Sequence, residues 1–198
     1  WSLSGMVVLG ALAGLMAMVR EQDAFVVIGP AIDLAWAVVR NGRVRAIGPA
    51  LAGTAAAVLV YLPQAAAYLA INGRLGPSPL VSRKMTWTSP HAAGVLFSPE
   101  HGLFFWTPLA LLAVAGLVLL VARPGASRGP AESAPAPREA PLRIGVGLLA
   151  IVLLQVYIAG SVERWTVAGA FGQRRFVAMT APCVVGLSVL GAHLAGSR

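Results

Sequence analysis

The chain has 198 residues, of which 58% are hydrophobic and only 11% charged, whereas soluble domains carry about 25% charged residues. With a mean hydropathy of +0.78, this excludes an ordinary water-soluble domain, whose helices would each show one apolar stripe and one polar face. The formal net charge of +8 sits between the apolar segments and not along one face, so it points to anionic headgroups at a membrane surface and away from nucleic acid.

The first apolar segment, Leu3 to Val19, carries no charge and ends at Arg20-Glu21-Gln22-Asp23. It lacks the basic start and small-residue cleavage site of a signal peptide and reads as a helix entered partway, which predicts sequence before Trp1. The second segment, Ala24 to Val39, contains Pro30 and Asp33 and is expected to tilt, kink or lie partly in the interface. Asp33 at mid-depth would cost roughly 2.5–3.5 kcal/mol, so it either faces protein or water or belongs to an interfacial stretch. After the basic connection Arg40, Arg43 and Arg45 comes a third segment, Ile47 to Ile71, whose Pro49 and Pro63 are tolerable in a membrane helix with neighbours.

A long polar loop over 72–102 follows, then a fourth apolar segment, Leu103 to Ala122. The stretch 123–143, rich in Pro, Ala, Ser and Gly, reads as a flexible linker. A fifth segment, Ile144 to Gly160, a charged loop from Ser161 to Arg175 and a sixth segment, Phe176 to Ala195, complete the chain. There is no internal repeat and no strand-like alternation. The expectation is an all-α polytopic membrane bundle of about six transmembrane or partly embedded helices, forming one domain over 1–198. The single cysteine, Cys183, lies inside an apolar segment and provides neither a disulfide framework nor a metal cluster.

Alternation across six helices puts Arg40, Arg43 and Arg45 on the same side as Arg123, Arg128, Arg138 and Arg143, which the positive-inside tendency makes cytoplasmic. The loops 72–102 and 161–175 then face the outside of a plasma (inner) membrane. The longer loop holds Arg74, Arg83, Lys84, Trp87, His91, Glu100 and His101; the shorter holds Glu163, Arg164, Trp165, Arg174 and Arg175. Basic groups on the translocated side run against the usual bias, and a phosphate clamped by arginine forks would account for them. The routine alternative is that these arginines snorkel to ordinary headgroups or pair with Glu21, Asp23, Glu100 and Glu163. His91 and His101 have no zinc-ligand spacing, so structural or interfacial roles compete with proton transfer, and a divalent metal has no sequence support. Trp87, Trp106 and Trp165 fall near helix ends, where belt anchoring is the default.

Three stretches carry a family resemblance: GLMAMVREQDAF from Gly14 to Phe25, LFSPEHGLFFWTPLALL from Leu96 to Leu112, and ERWTVAGAFGQRRFV from Glu163 to Val177. Their order between apolar helices resembles the later part of bacterial GT-C superfamily membrane glycosyltransferases, the group that includes dolichyl-phosphate-mannose protein mannosyltransferase-like enzymes. The resemblance implies inverting transfer of a sugar from a polyprenyl-phosphate donor to a glycan, lipid or protein acceptor on the non-cytoplasmic face. It implies Arg174, Arg175 and Arg20 as contacts to the donor phosphate, with Glu100, His101 and Trp165 positioning sugar or acceptor. In that family the catalytic acid usually sits in a first outer loop near the start of the protein. Neither Glu21 nor Asp23 matches that place, so the chain reads as a fragment, inactive alone, with no evident cofactor. Two other classes stay open: a transporter, for which only Asp33, Gln64 and Gln155 offer polar groups within helices, and a non-catalytic membrane subunit.

Overall fold

In the computed structural model, which describes residues 1–40, 42–124, 139–166 and 173–196, the regular elements are helices throughout. The chain folds as two compact units, Trp1–Met85 and Thr86–Arg198. The division falls inside the polar loop 72–102, where no long apolar helix carries the chain across.

In the first unit, helix α1 (Leu3–Val19) opens at Ser2, whose hydroxyl accepts the Gly5 N–H at 3.1 Å and satisfies one of the first-turn donors. A 3₁₀ turn, Glu21–Val27, leads into α2 (Ile28–Val39), and a second, Val44–Ala46, leads into α3 (Ile47–Asn72). Pro63 lies inside α3 without ending it. Gly73 ends it in the left-handed conformation (φ 66°), its N–H bonded to the Leu69 carbonyl at 3.0 Å, a conformation glycine adopts without Cβ strain. A four-residue helix, α4 (Pro79–Ser82), follows.

Helices α1 and α3 run parallel and cross at small residues. A Cβ added at Gly10 would overlap the Gly53 carbonyl, one at Gly14 would come within 2.6 Å of the Ala57 oxygen, and one at Gly53 within 2.5 Å of the Met6 oxygen. Gly10 and Gly14 are four residues apart, as are Gly53 and Ala57, so each helix offers one smooth face.

In the second unit, α5 (Ala92–Phe97) and α6 (Leu103–Trp106) are short, and α7 (Pro108–Ala122), α8 (Glu139–Gly160) and α9 (Thr180–Gly196) form the body. The expected helix from Leu103 to Ala122 is broken at Thr107 (φ −133°, ψ 74°), because Pro108 drives the preceding residue out of the helical region and opens a new helix itself. Helix α8 begins at Glu139 and not at Ile144, so the last residues of the expected linker are helical, with an acidic side chain at the positive end of the helix dipole. The rest of that linker, 125–138, lies outside the described residues. Helices α7 and α9 repeat the device of the first unit: a Cβ at Gly116 would overlap the Gly186 carbonyl, and one at Gly186 the Ala113 carbonyl. Leu117, Leu120, Val152, Val156 and Val189 are buried around this crossing.

Among the described residues, four helical stretches, Glu21–Val39, Val44–Asn72, Glu139–Gly160 and Arg174–Gly196, are long and apolar enough to cross a membrane, and two shorter apolar helices, α1 and α7, accompany them. These are the six apolar segments expected. Their outward faces are apolar as well: Leu51 is 66% exposed, Leu59 65% and Leu153 69%. Exposed leucines of that kind are a liability in water when they gather in patches and an ordinary solvent contact in lipid.

Replacing Gly116 by Leu is expected to force α7 and α9 apart at a cost of about 1–3 kcal/mol or more, lowering the melting temperature in detergent. Gly191→Leu, on the same α9 but with nothing within 4 Å of its would-be Cβ, should leave it nearly unchanged; equal losses in both variants would show that the crossing is not what holds the pair.

Candidate functional site

The charged loops of the second unit converge because α8 ends where α7 and α9 begin. From Ile144 to Val156, α8 is apolar except at Gln155, which is 1% exposed. Its Nε2 donates to the Arg175 carbonyl at 3.0 Å, which ties the turn before α9 to the middle of α8. At the end of α8, the Ser161 carbonyl accepts from both the N–H and the hydroxyl of Thr86, at 2.6 and 3.0 Å. The His91 N–H donates to the Gly160 carbonyl at 2.9 Å. The Tyr157 hydroxyl donates to the Trp87 carbonyl at 2.7 Å, with the two rings 5.9 Å apart. A Cβ on Gly160 would come within 3.1 Å of the Ala92 nitrogen, so the close approach of the two segments depends on glycine there.

Above this seam lies a clasp that includes two of the expected site residues, Arg175 and Trp165. Arg175 donates from Nη1 to the Trp165 carbonyl at 3.1 Å and from Nη2 to the Arg164 carbonyl at 3.2 Å. The Trp165 ring lies 6.4 Å from the His91 ring and covers Gly94, where an added Cβ would approach its Cζ2 to 2.8 Å. Arg174, one residue before the clasp, is exposed, as are Glu163 and Arg164. Arg175 is thus engaged with backbone, and Arg174 presents its charge at the surface.

Glu100 and His101 occupy a neighbouring turn held by its own bonds. The Ser98 hydroxyl accepts the Glu100 N–H at 3.2 Å, the Ser98 carbonyl accepts the Gly102 N–H at 2.7 Å, and Trp106 Nε1 donates to the Pro99 carbonyl at 3.0 Å. The Glu100 side chain is exposed, whereas His101 Nδ1 is buried without a hydrogen-bond partner among the described residues. Trp106 therefore has a specific structural bond beyond the belt role its position suggested.

Arg20 belongs to the first unit. It ends α1, with its Nε 3.6 Å from Asp23 Oδ1 and its Nη2 3.5 Å from Gln22 Oε1. Beside it the Tyr61 hydroxyl donates to Glu21 Oε1 at 2.6 Å. Sequence reasoning missed Tyr61, Tyr157 and Ser161. Gln155 was visible as a polar residue in an apolar helix, though its role as an anchor for Arg175 was not. Among the described residues, no three His, Cys, Asp or Glu side chains gather as a metal site. Comparison with protein-family models, curated proteins and solved structures returns no match.

Arg175→Lys is expected to open the clasp, since a single ammonium does not reproduce the two-pronged donation of a guanidinium. A loss of about 1–3 kcal/mol should show as a lower melting temperature in detergent and faster tryptic cleavage after Arg164. Gly94→Val should act in the same direction by displacing Trp165. Unchanged cleavage in both would mean that the loop is held by something else.

Proposed function

We propose that this chain is part of a membrane glycosyltransferase that moves a sugar from a polyprenyl-phosphate donor to an acceptor on the non-cytoplasmic side. The observation that carries the reading is the clasp, in which Arg175 is spent on holding Trp165 and Arg164 while Arg174 stands exposed beside it. A basic and aromatic platform fixed at a helix end suits a phosphate-linked sugar held at headgroup depth, where an arginine fork is a good partner for phosphate oxygens.

Transfer from such a donor requires a base for the acceptor hydroxyl and cations that offset charge growing on the departing phosphate. In this reading Arg174 supplies the cation, and Arg175, placed on phosphate by the sequence resemblance, acts chiefly as a positioning residue. By the sequence resemblance, Trp165, Glu100 and His101 position sugar or acceptor hydroxyls; Arg20 belongs to the first unit, paired with Asp23, and is given no part in the site around Arg174. No residue of the chain is assigned as the catalytic base.

The test uses membranes expressing the complete open reading frame that encodes this chain, supplied with radiolabelled polyprenyl-phosphate sugars. Arg174→Gln should lower transfer on the order of 10²-fold without changing insertion or melting temperature, whereas Arg175→Gln should lower both transfer and stability. Full transfer by Arg174→Gln removes that residue from the site. Label taken up without product would favour a transporter, and neither product nor uptake a non-catalytic subunit.

A further inference from the structure

A cleft of about 410 Å³ runs between α7 and α9 in the second unit, within the size range of small-ligand sites. Its walls are apolar: Leu109, Ala113, Leu117, Val152, Val184 and Leu187 among them. At its end, near the start of α9, stands Gln173, which is only 8% exposed. Neither its Oε1 nor its Nε2 has a hydrogen-bond partner among the described residues. A buried amide left unmatched on both atoms costs free energy, and hydrocarbon offers it nothing.

We propose that this cleft binds one acyl chain of a diacyl glycerophospholipid, with the glycerol ester group seated on the Gln173 amide. The depth fits, because Gln173 immediately precedes the membrane-length stretch Arg174–Gly196 and so lies at the boundary where lipid ester groups sit. An ester carbonyl accepts from Nε2, and a headgroup hydroxyl or interfacial water donates to Oε1. An isoprenoid phosphate fits less well, since it carries no polar atom between its hydrocarbon and its phosphate and leaves the amide unmatched. The proposal does not depend on sugar transfer.

Cys183 lines the same cleft and is a free, half-buried thiol, which makes its alkylation a direct reading of occupancy. The chain, purified in dodecyl maltoside, is titrated with dioleoyl phosphatidylglycerol, with its ether-linked analogue that lacks the carbonyls, and with undecaprenyl phosphate, while alkylation by N-ethylmaleimide is followed. The ester lipid should protect Cys183 at a concentration roughly two- to tenfold lower than the ether lipid, the worth of one neutral hydrogen bond. In Gln173→Met, which keeps the side-chain volume and removes the amide, that preference should disappear. Equal protection by ester and ether lipids in the unsubstituted chain overturns the proposal, as does a preference that survives in Gln173→Met or stronger protection by undecaprenyl phosphate. Should the variant fail to fold, the ester-to-ether comparison on the unsubstituted chain decides alone.

Discussion

Close backbone contact between parallel helices is the constraint on which each unit depends. In lipid, apolar side chains gain little by leaving one hydrocarbon for another, so helices associate through close packing and hydrogen bonding. Gly10, Gly14 and Gly53 in the first unit, and Gly116 and Gly186 in the second, let one helix backbone rest on the carbonyls of the next. Large apolar side chains lie on both sides: Leu117 and Leu120 are buried, and Leu51, Leu59 and Leu153 face the surroundings.

With the helix bodies joined this way, the ends carry the polar work. Gln155, within α8, contributes a directed bond to the backbone of the turn that starts α9. The same turn bears Arg174 and Arg175, so a buried amide in one helix sets where two charges emerge. The remaining fixings of that end are donations to backbone carbonyls: Thr86 to Ser161, His91 to Gly160, Tyr157 to Trp87, and Arg175 to Trp165 and Arg164. Because they use backbone acceptors, the charged side chains Glu163, Arg164 and Arg174 stay at the surface. A phosphate-bearing partner at headgroup depth would meet a surface whose shape is set before it arrives, and preorganised donors cost less to reorganise when charge develops.

Gln173 and Gln155 show two fates of a buried amide. Gln155 Nε2 is matched by a carbonyl within the protein, and its presence is explained by the turn it holds. Gln173 is buried on the wall of an apolar cleft, with both amide atoms unmatched among the described residues. In a medium with little water to offer, the second arrangement is explained by a ligand with polar atoms at that depth.

The amino-acid sequence by itself determined the solvent and the elements. Apolar runs of membrane length with at most one charge have one helical solution, because each backbone N–H and C=O must be satisfied within the segment. The runs at Leu3, Ala24, Ile47, Leu103, Ile144 and Phe176 accordingly appear as helices near those bounds. Local chemistry that is not hydropathic was harder to see: the break at Thr107 is a proline effect inside an apolar run, and the start of α8 at Glu139 lies in a stretch whose composition suggested a linker. Only the tertiary structure decided the division into two units, the pairing of α1 with α3 and of α7 with α9, and the different situations of neighbouring arginines. Arg174 and Arg175 are chemically identical and adjacent in sequence, yet one is exposed and the other bonded to two carbonyls. That difference arises from which backbone atoms the fold brings within about 3 Å of a guanidinium, and no periodicity or composition of the chain encodes it.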